Sequence, residues 1–252
     1  VAAAEAALDA AGAVIRPYFR AGVQADRKGD ESPVTVADRK AEETLREILS
    51  AQFPELGIIG EEFPAVNADA RYVWVIDPID GTRAFITGRP NFCTLLGLLE
   101  DGVPVAGWID QPVTGERWRG GRDFAGSFVG KFGGVLGTSG RTDIAEAELS
   151  ATSPAMFDAA QFARFQKLER ACRRVYWGGD AYAFGLLAIG CIDVVAECDL
   201  KIWDWAALAP VVQAAGGVIS DWNGAALRAG CDGTVLAAAT PDLHKAALAA
   251  LG

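Results

Sequence analysis

The sequence predicts a mixed α/β (α+β) fold of layered sheets and helices, with hairpins in the middle of the chain. Three observations predict it. Leu45, Ile48 and Leu49 recur at helical spacing behind Asp38. Short apolar runs at 57–60, 72–76, 93–100 and 103–110 read as strands, and Asp101-Gly102 between the last two is a hairpin signal. Further strand-like runs at 192–196, 218–220 and 235–238 alternate with helical segments.

The elements follow in order. Residues 1 to about 20 read as a helix that Pro17 bends or ends. The polar, Gly/Pro-marked stretch 22–35 reads as a loop, with Lys28 in it as a solvated or mobile-loop lysine. Asp38 opens the second helix. The strand at 57–60 ends at Glu61-Glu62, and that at 72–76 ends at Asp77, followed by a DPID turn stiffened by Pro78. Strands are also expected near 116–119 and 126–130, and a helix over 155–166. A buried helix is expected over 181–189. One helix over 204–215 is stopped by Gly216-Gly217, and a last helix starts at Pro241. With 252 residues and no repeat or linker, the chain reads as a single domain, 1–252, with two intimate halves near 1–130 and 131–252.

Composition excludes much chemistry. A net charge of −10 without a dense Lys/Arg run argues against a nucleic-acid partner. The longest apolar stretch, 181–196, is interrupted by Asp193 and glycines, so no membrane span is expected. The N-terminus lacks the basic start of a signal peptide, and the odd count of five cysteines has no CxxC pair; both point to the cytoplasm. The only histidine, His244, reads as a surface residue of the last helix; a Ser-His-Asp triad would need that one residue, and a His-rich zinc site cannot be built.

Catalysis must then run on carboxylates, hydroxyls and metal. Glu61, Asp77, Asp80 and Asp204 each follow an apolar run, and converging strand ends are where α/β folds place ligands. Taken singly, Glu61-Glu62 reads as a solvated turn and Asp204 as a helix cap. The hexapeptide Asp77-Pro78-Ile79-Asp80-Gly81-Thr82 is more than a turn. Clustered acids call for protonation or a hard cation such as Mg²⁺, which prefers oxygen ligands. Gly81 lets a phosphate approach the backbone, and the N–H groups of the short turn begun by Thr82 favour an anion.

The chain resembles the Mg²⁺-dependent inositol monophosphatase superfamily. The matching stretches are 32–38 (SPVTVAD), 59–62 (IGEE), 74–82 (WVIDPIDGT) and 203–207 (WDWAA) before Gly216-Gly217. The resemblance implies a layered α-β-α-β-α fold of the sugar-phosphatase type and a homodimer. It implies metal ligation by Glu61, Asp77, Asp80, Asp204 and the Ile79 carbonyl, with two or three Mg²⁺ per site. It places Asp38 and Thr82 beside the attacking water, with Glu62 behind the ligands. The runs 82–90 (TRAFITGRP) and 178–190 (GGDAYAFGLLAIG) are similar to the histidinol-phosphate phosphatase branch. Asp180 falls where inositol phosphatases carry a small residue, and Glu197 occupies the family's substrate-contact glutamate position.

The expected reaction is therefore hydrolysis of a phosphate monoester, L-histidinol phosphate first. The Gly81 and Thr82 amides would hold phosphate, with Arg83 as a weaker candidate. Asp180 and Glu197 would pair with the substrate ammonium. Trp177 and Tyr182 read as imidazole-stacking residues or as ordinary core. Inositol-1-phosphate and other sugar or nucleotide phosphates are the alternatives within the class. A non-catalytic metal- and phosphate-binding protein is the alternative outside it. A Ca²⁺ module lacks its twelve-residue loop.

Overall fold

The computed structural model describes residues 1–21, 26–27, 33–34 and 36–252, the two short middle pieces by backbone alone. In chain order the elements are α1 (Ala2–Ile15), β1 (Asp26–Arg27), β2 (Pro33–Val34), α2 (Val36–Gln52), β3 (Gly57–Gly60), β4 (Tyr72–Asp80), α3 (Thr82–Ile86), β5 (Cys93–Glu100), β6 (Val103–Gln111), β7 (Glu116–Gly121), β8 (Phe124–Val129), β9 (Glu148–Ala151), α4 (Ala159–Ala171), β10 (Arg174–Trp177), α5 (Asp180–Leu187), β11 (Val194–Glu197), α6 (Ile202–Trp205), α7 (Leu208–Ala214), β12 (Val218–Ser220), β13 (Val235–Ala238) and α8 (Pro241–Leu251). In the stretch expected as a loop, β1 pairs antiparallel with β2. Lys28 lies outside the described residues.

Two larger sheets organise the chain. One has six strands in the order β3-β4-β5-β6-β7-β8, antiparallel except for the β3–β4 pair. The other has five, in the order β10-β9-β11-β13-β12, and mixes parallel and antiparallel pairs. Alternation along each strand sends neighbouring residues to opposite faces. On β4, Trp74 and Ile76 pack with Leu8 and Ile15 of α1 and Leu45 of α2. Val73 and Val75 face the other way, into a core shared with α5, α7 and the inner face of the five-stranded sheet (Val195, Ala237). The outer face of that sheet (Val194, Leu236) is covered by Phe165 of α4 and Leu243 of α8. The layers are therefore α-β-α-β-α.

The middle layer seats deeply because the sheet under it is bare. Gly97, Gly107 and Gly120 are cross-strand neighbours on β5, β6 and β7. A Cβ on Gly107 would lie 2.0 Å from the Ala207 carbonyl oxygen, and one on Gly120 2.1 Å from that of Pro210. This trench receives the backbone of Ala206, Ala207 and Pro210, from the end of α6 into the first turn of α7.

Several boundaries differ from expectation. The helix expected over 204–215 is two, because Pro210 in the first turn of α7 has no N–H to return to Ala206. The helix expected from 155 begins at Ala159, where Asp158 and Gln161 form a capping box. Strands β9 and β10 were not expected. His244 is not a surface residue: it is buried on the inner face of α8 with its Nε2 2.8 Å from Ser220 Oγ.

Candidate active site

The segment 77–80 is a bulged strand end rather than a turn. β4 continues to Asp80, but its register against β5 shifts between Asp77, opposite Leu95, and Asp80, opposite Cys93. Pro78 has no N–H for a ladder, which suits it to a bulge. The bulge is tied down at three points. Thr94 Oγ1 donates to the Pro78 carbonyl (2.8 Å), the Ile79 N–H donates to Asp77 Oδ1 (3.1 Å), and Thr82 Oγ1 donates to the Ile79 carbonyl (3.1 Å). Gly81, at φ 79°, then turns the chain into α3.

Asp204 reaches this strand end from α6, across the glycine trench. Oxygens of Asp77, Asp80 and Asp204 lie within 4.8 Å of one another, Asp77 buried and the other two half-buried. Burial, then Glu61, Asp80, Asp204 and Asp38, hold the Asp77 carboxyl well above its usual range. Burial and the charges of Asp180 and Asp204 do the same to Asp80. Asp204 is pushed up to about 7, by burial first and also by Glu61, although the Lys201 N–H it accepts at 2.6 Å works the other way. The structure thus gathers Asp38, Glu61, Asp77, Asp80 and Asp204 within electrostatic reach. The tightest group is Asp77, Asp80 and Asp204, with Glu61 and Asp38 around it. An all-oxygen, crowded, acidic set fits a hard divalent cation. Glu62 is half-buried, and its N–H donates to Glu42.

A cavity of about 150 Å³ opens beside the acids. Asp80, Asp180, Glu197 and Asp204 supply its charge, and Met156, Phe184, Leu200 and Leu208 its apolar wall. No Lys or Arg side chain lines it among the described residues. Glu197 is 2% exposed, and burial raises its pKa well above the usual range. Its Oε1 accepts from Thr152 Oγ1 (3.0 Å), while Oε2 is buried with no hydrogen-bond partner among the described residues. Asp180 begins α5 at φ 45°, with its carboxylate near Gly81, and its N–H donates to Thr152 Oγ1 (3.0 Å). Its Oδ2 accepts from Asn91 (3.2 Å). Burial raises Asp180 to about 6 against the nearby charges of Arg83 and Arg89. Arg83 itself is exposed.

Thr152, Met156 and the apolar wall escaped sequence reasoning, because no motif marks them. Trp177 and Tyr182 lie away from the cavity, along a separate cleft on the other side of α5. Tyr182 packs edge-on against Trp118 and donates to Glu116 (2.8 Å), and Trp177 packs on Phe165.

Comparison with known proteins agrees with this geometry. The profile of the Inositol monophosphatase family matches residues 1–252. A bifunctional phosphatase of Arabidopsis thaliana, chloroplastic IMPL2, is 39% identical over 99% of this chain and 74% of its own. A histidinol-phosphatase of Mycobacterium tuberculosis is 36% identical, covering 80% of this chain and 78% of its own. The solved structure of an inositol monophosphatase from Zymomonas mobilis superposes with a TM-score of 0.89 at 46% identity, over 99% of this chain and 96% of that one. The chain is thus a phosphoric monoester hydrolase by its fold and relatives. More narrowly, the chain belongs to the inositol monophosphatase family.

Proposed function

We propose that the protein hydrolyses a small phosphate monoester carrying a cationic group, and that L-histidinol phosphate, yielding L-histidinol, is its substrate. The observation that carries this reading is the cavity beside the metal-type centre whose described charged groups are all acids, among them Glu197, whose buried Oε2 has no hydrogen-bond partner among the described residues. A buried carboxylate oxygen without a partner is costly, and an ammonium would satisfy it. The relatives named histidinol-phosphatase support the same choice.

In this reading Asp77, Asp80, Asp204, Glu61 and the Ile79 carbonyl would hold two or three Mg²⁺. Bound there, the metal would supply a more acidic water and Lewis-acid stabilisation of the leaving oxygen. Asp38, fully enclosed on α2, takes the proton of the attacking water, and Thr82 orients it through a hydroxyl already aimed at the Ile79 carbonyl. The Gly81 and Thr82 amides hold phosphate oxygens. Glu197 and Asp180 pair with the substrate ammonium, Arg83 and Arg89 favouring the ionised form of Asp180. Homodimerisation and a cytoplasmic location belong to this reading on the family resemblance; no described helix is long and apolar enough to cross a membrane.

The second reading is an inositol phosphatase, favoured by the 46% identity to the Zymomonas mobilis protein. Phosphate release with Mg²⁺ separates the two. The expected kcat/KM for L-histidinol phosphate exceeds that for inositol-1-phosphate at least ~10-fold, about 1.4 kcal/mol of discrimination. Glu197→Gln and Asp180→Ala should raise KM for histidinol phosphate more than for inositol phosphate. Equal effects on both substrates would remove the ammonium assignment.

A further inference from the structure

Helix α2 carries a carboxylate that no motif singles out. Glu42 is fully buried (0% exposed), one turn beyond Asp38 on the same helix face. Both of its oxygens are engaged. Oε1 accepts from Arg46 Nε at 2.7 Å, and Oε2 accepts the backbone N–H of Glu62 at 2.8 Å. Arg46 Nη2 donates onward to the Phe63 carbonyl at 3.0 Å, and the Arg39 and Arg46 guanidiniums lie over the Phe63 ring at 5.4 and 5.9 Å. On the near side, Gly60 leaves room for the pair: a Cβ there would sit 2.1 Å from Glu42 Oε1. The backbone just after Glu61 is therefore gripped by the pair, and Gly60 just before it lets the pair approach.

A buried ion pair contributes little net stability, and apolar replacements are often as stable. Its value here is geometric. Glu61 sits against the like charges of Asp77 and Asp204. Repulsion drives such a group outward unless its backbone is held. We propose that Glu42, fixed by Arg46, is a positioning residue for the metal centre: it holds Glu61 at the acids of β4 and α6, and so sets the affinity for divalent metal. One helix thereby fixes both Asp38 and Glu61. This inference rests on the metal reading above.

Calorimetric titration of Mg²⁺ into the chelator-stripped full chain tests it, alongside circular dichroism and melting temperature. Wild type should bind Mg²⁺, and Asp77→Asn should lose most of that binding. Glu42→Gln keeps an acceptor for Glu62 but loses the ion pair, and should weaken Mg²⁺ about 10-fold with an unchanged spectrum. Excess Mg²⁺ should then restore much of its turnover. Arg46→Lys keeps the charge but loses the fork to Phe63; it should shift affinity in the same direction, and it carries the test if Glu42→Gln does not fold. Wild-type affinity in the folded variants, even with a lowered melting temperature, would overturn the positioning role and leave the metal reading standing. Failure of wild type to bind Mg²⁺ would instead overturn the metal reading, and this inference with it.

Discussion

Asp80 serves two neighbours at once. Its Oδ2 accepts the Ala181 N–H at 2.6 Å, closing the N-terminus of α5, while the same carboxylate belongs to the acid centre. The cavity and the metal-type centre therefore share Asp80 and Asp204, and the bond to Ala181 seats Asp180 beside the strand-end acids. His244 is the opposite case, a buried titratable group that serves the fold through packing and its contact with Ser220 Oγ. Burial lowers its pKa from 6.5. Because the folded value lies below the unfolded one, the unfolded chain takes up the proton more readily. The contribution of His244 to stability is complete above pH 6.5 and is lost as pH falls from there through the lowered value. Chemical denaturation of wild type and His244→Gln between pH 8 and 5 should show this: the stability difference between them changes only below about pH 6.5.

Among the elements, the trench of Gly97, Gly107 and Gly120 governs the position of Asp204. Gly107→Ala drives a Cβ into the Ala207 backbone carbonyl, which cannot rotate away as a side chain would. The expected cost is about 3 kcal/mol, a fall in melting temperature of roughly 5–10 °C, read by calorimetry. Mg²⁺ affinity should fall with it, because α6 lifts from the sheet. The strands around this trench were legible in the sequence. β5 and β6 were marked by Asp101-Gly102, and α3 by Gly81-Thr82. The strand-end acids were legible too, since their residue types and order are tied to chemistry rather than to packing. What was not legible was set by long-range contact. β9 and β10 have four residues each and gain their pairing from a parallel neighbour distant in sequence. Pro78 reads locally as a turn, and only the Thr94 contact and the β5 register make it a bulge. His244 reads as exposed until Ser220 of β12 is brought against it.

At the scale of the whole molecule, the acid centre opposes folding unless it is neutralised. Asp77, Asp80 and Asp204 all have raised pKa values, Asp204 about 7. A carboxyl raised in the folded state contributes stability below its unfolded value, 3.8, and that contribution is lost as pH rises through the folded value. Chelator-treated protein should therefore be weakened by these acids as pH rises toward and past 7. Mg²⁺, binding the ionised folded form, should offset the loss. The gap in melting temperature between magnesium-loaded and chelator-treated protein is expected to widen from pH 6 to pH 8. A constant gap would mean that these carboxylates do not meet the ion.

Asp77 and Asp80 emerge from the ribosome long before Asp204, and Glu197 and α6 come later than the entire six-stranded sheet. A nascent chain halted before residue 204 carries Asp38, Glu61, Asp77 and Asp80 but lacks Asp204, and so cannot complete the acid centre. Truncated products should then be catalytically silent rather than partly active, and chain completion itself becomes the event that switches the enzyme on.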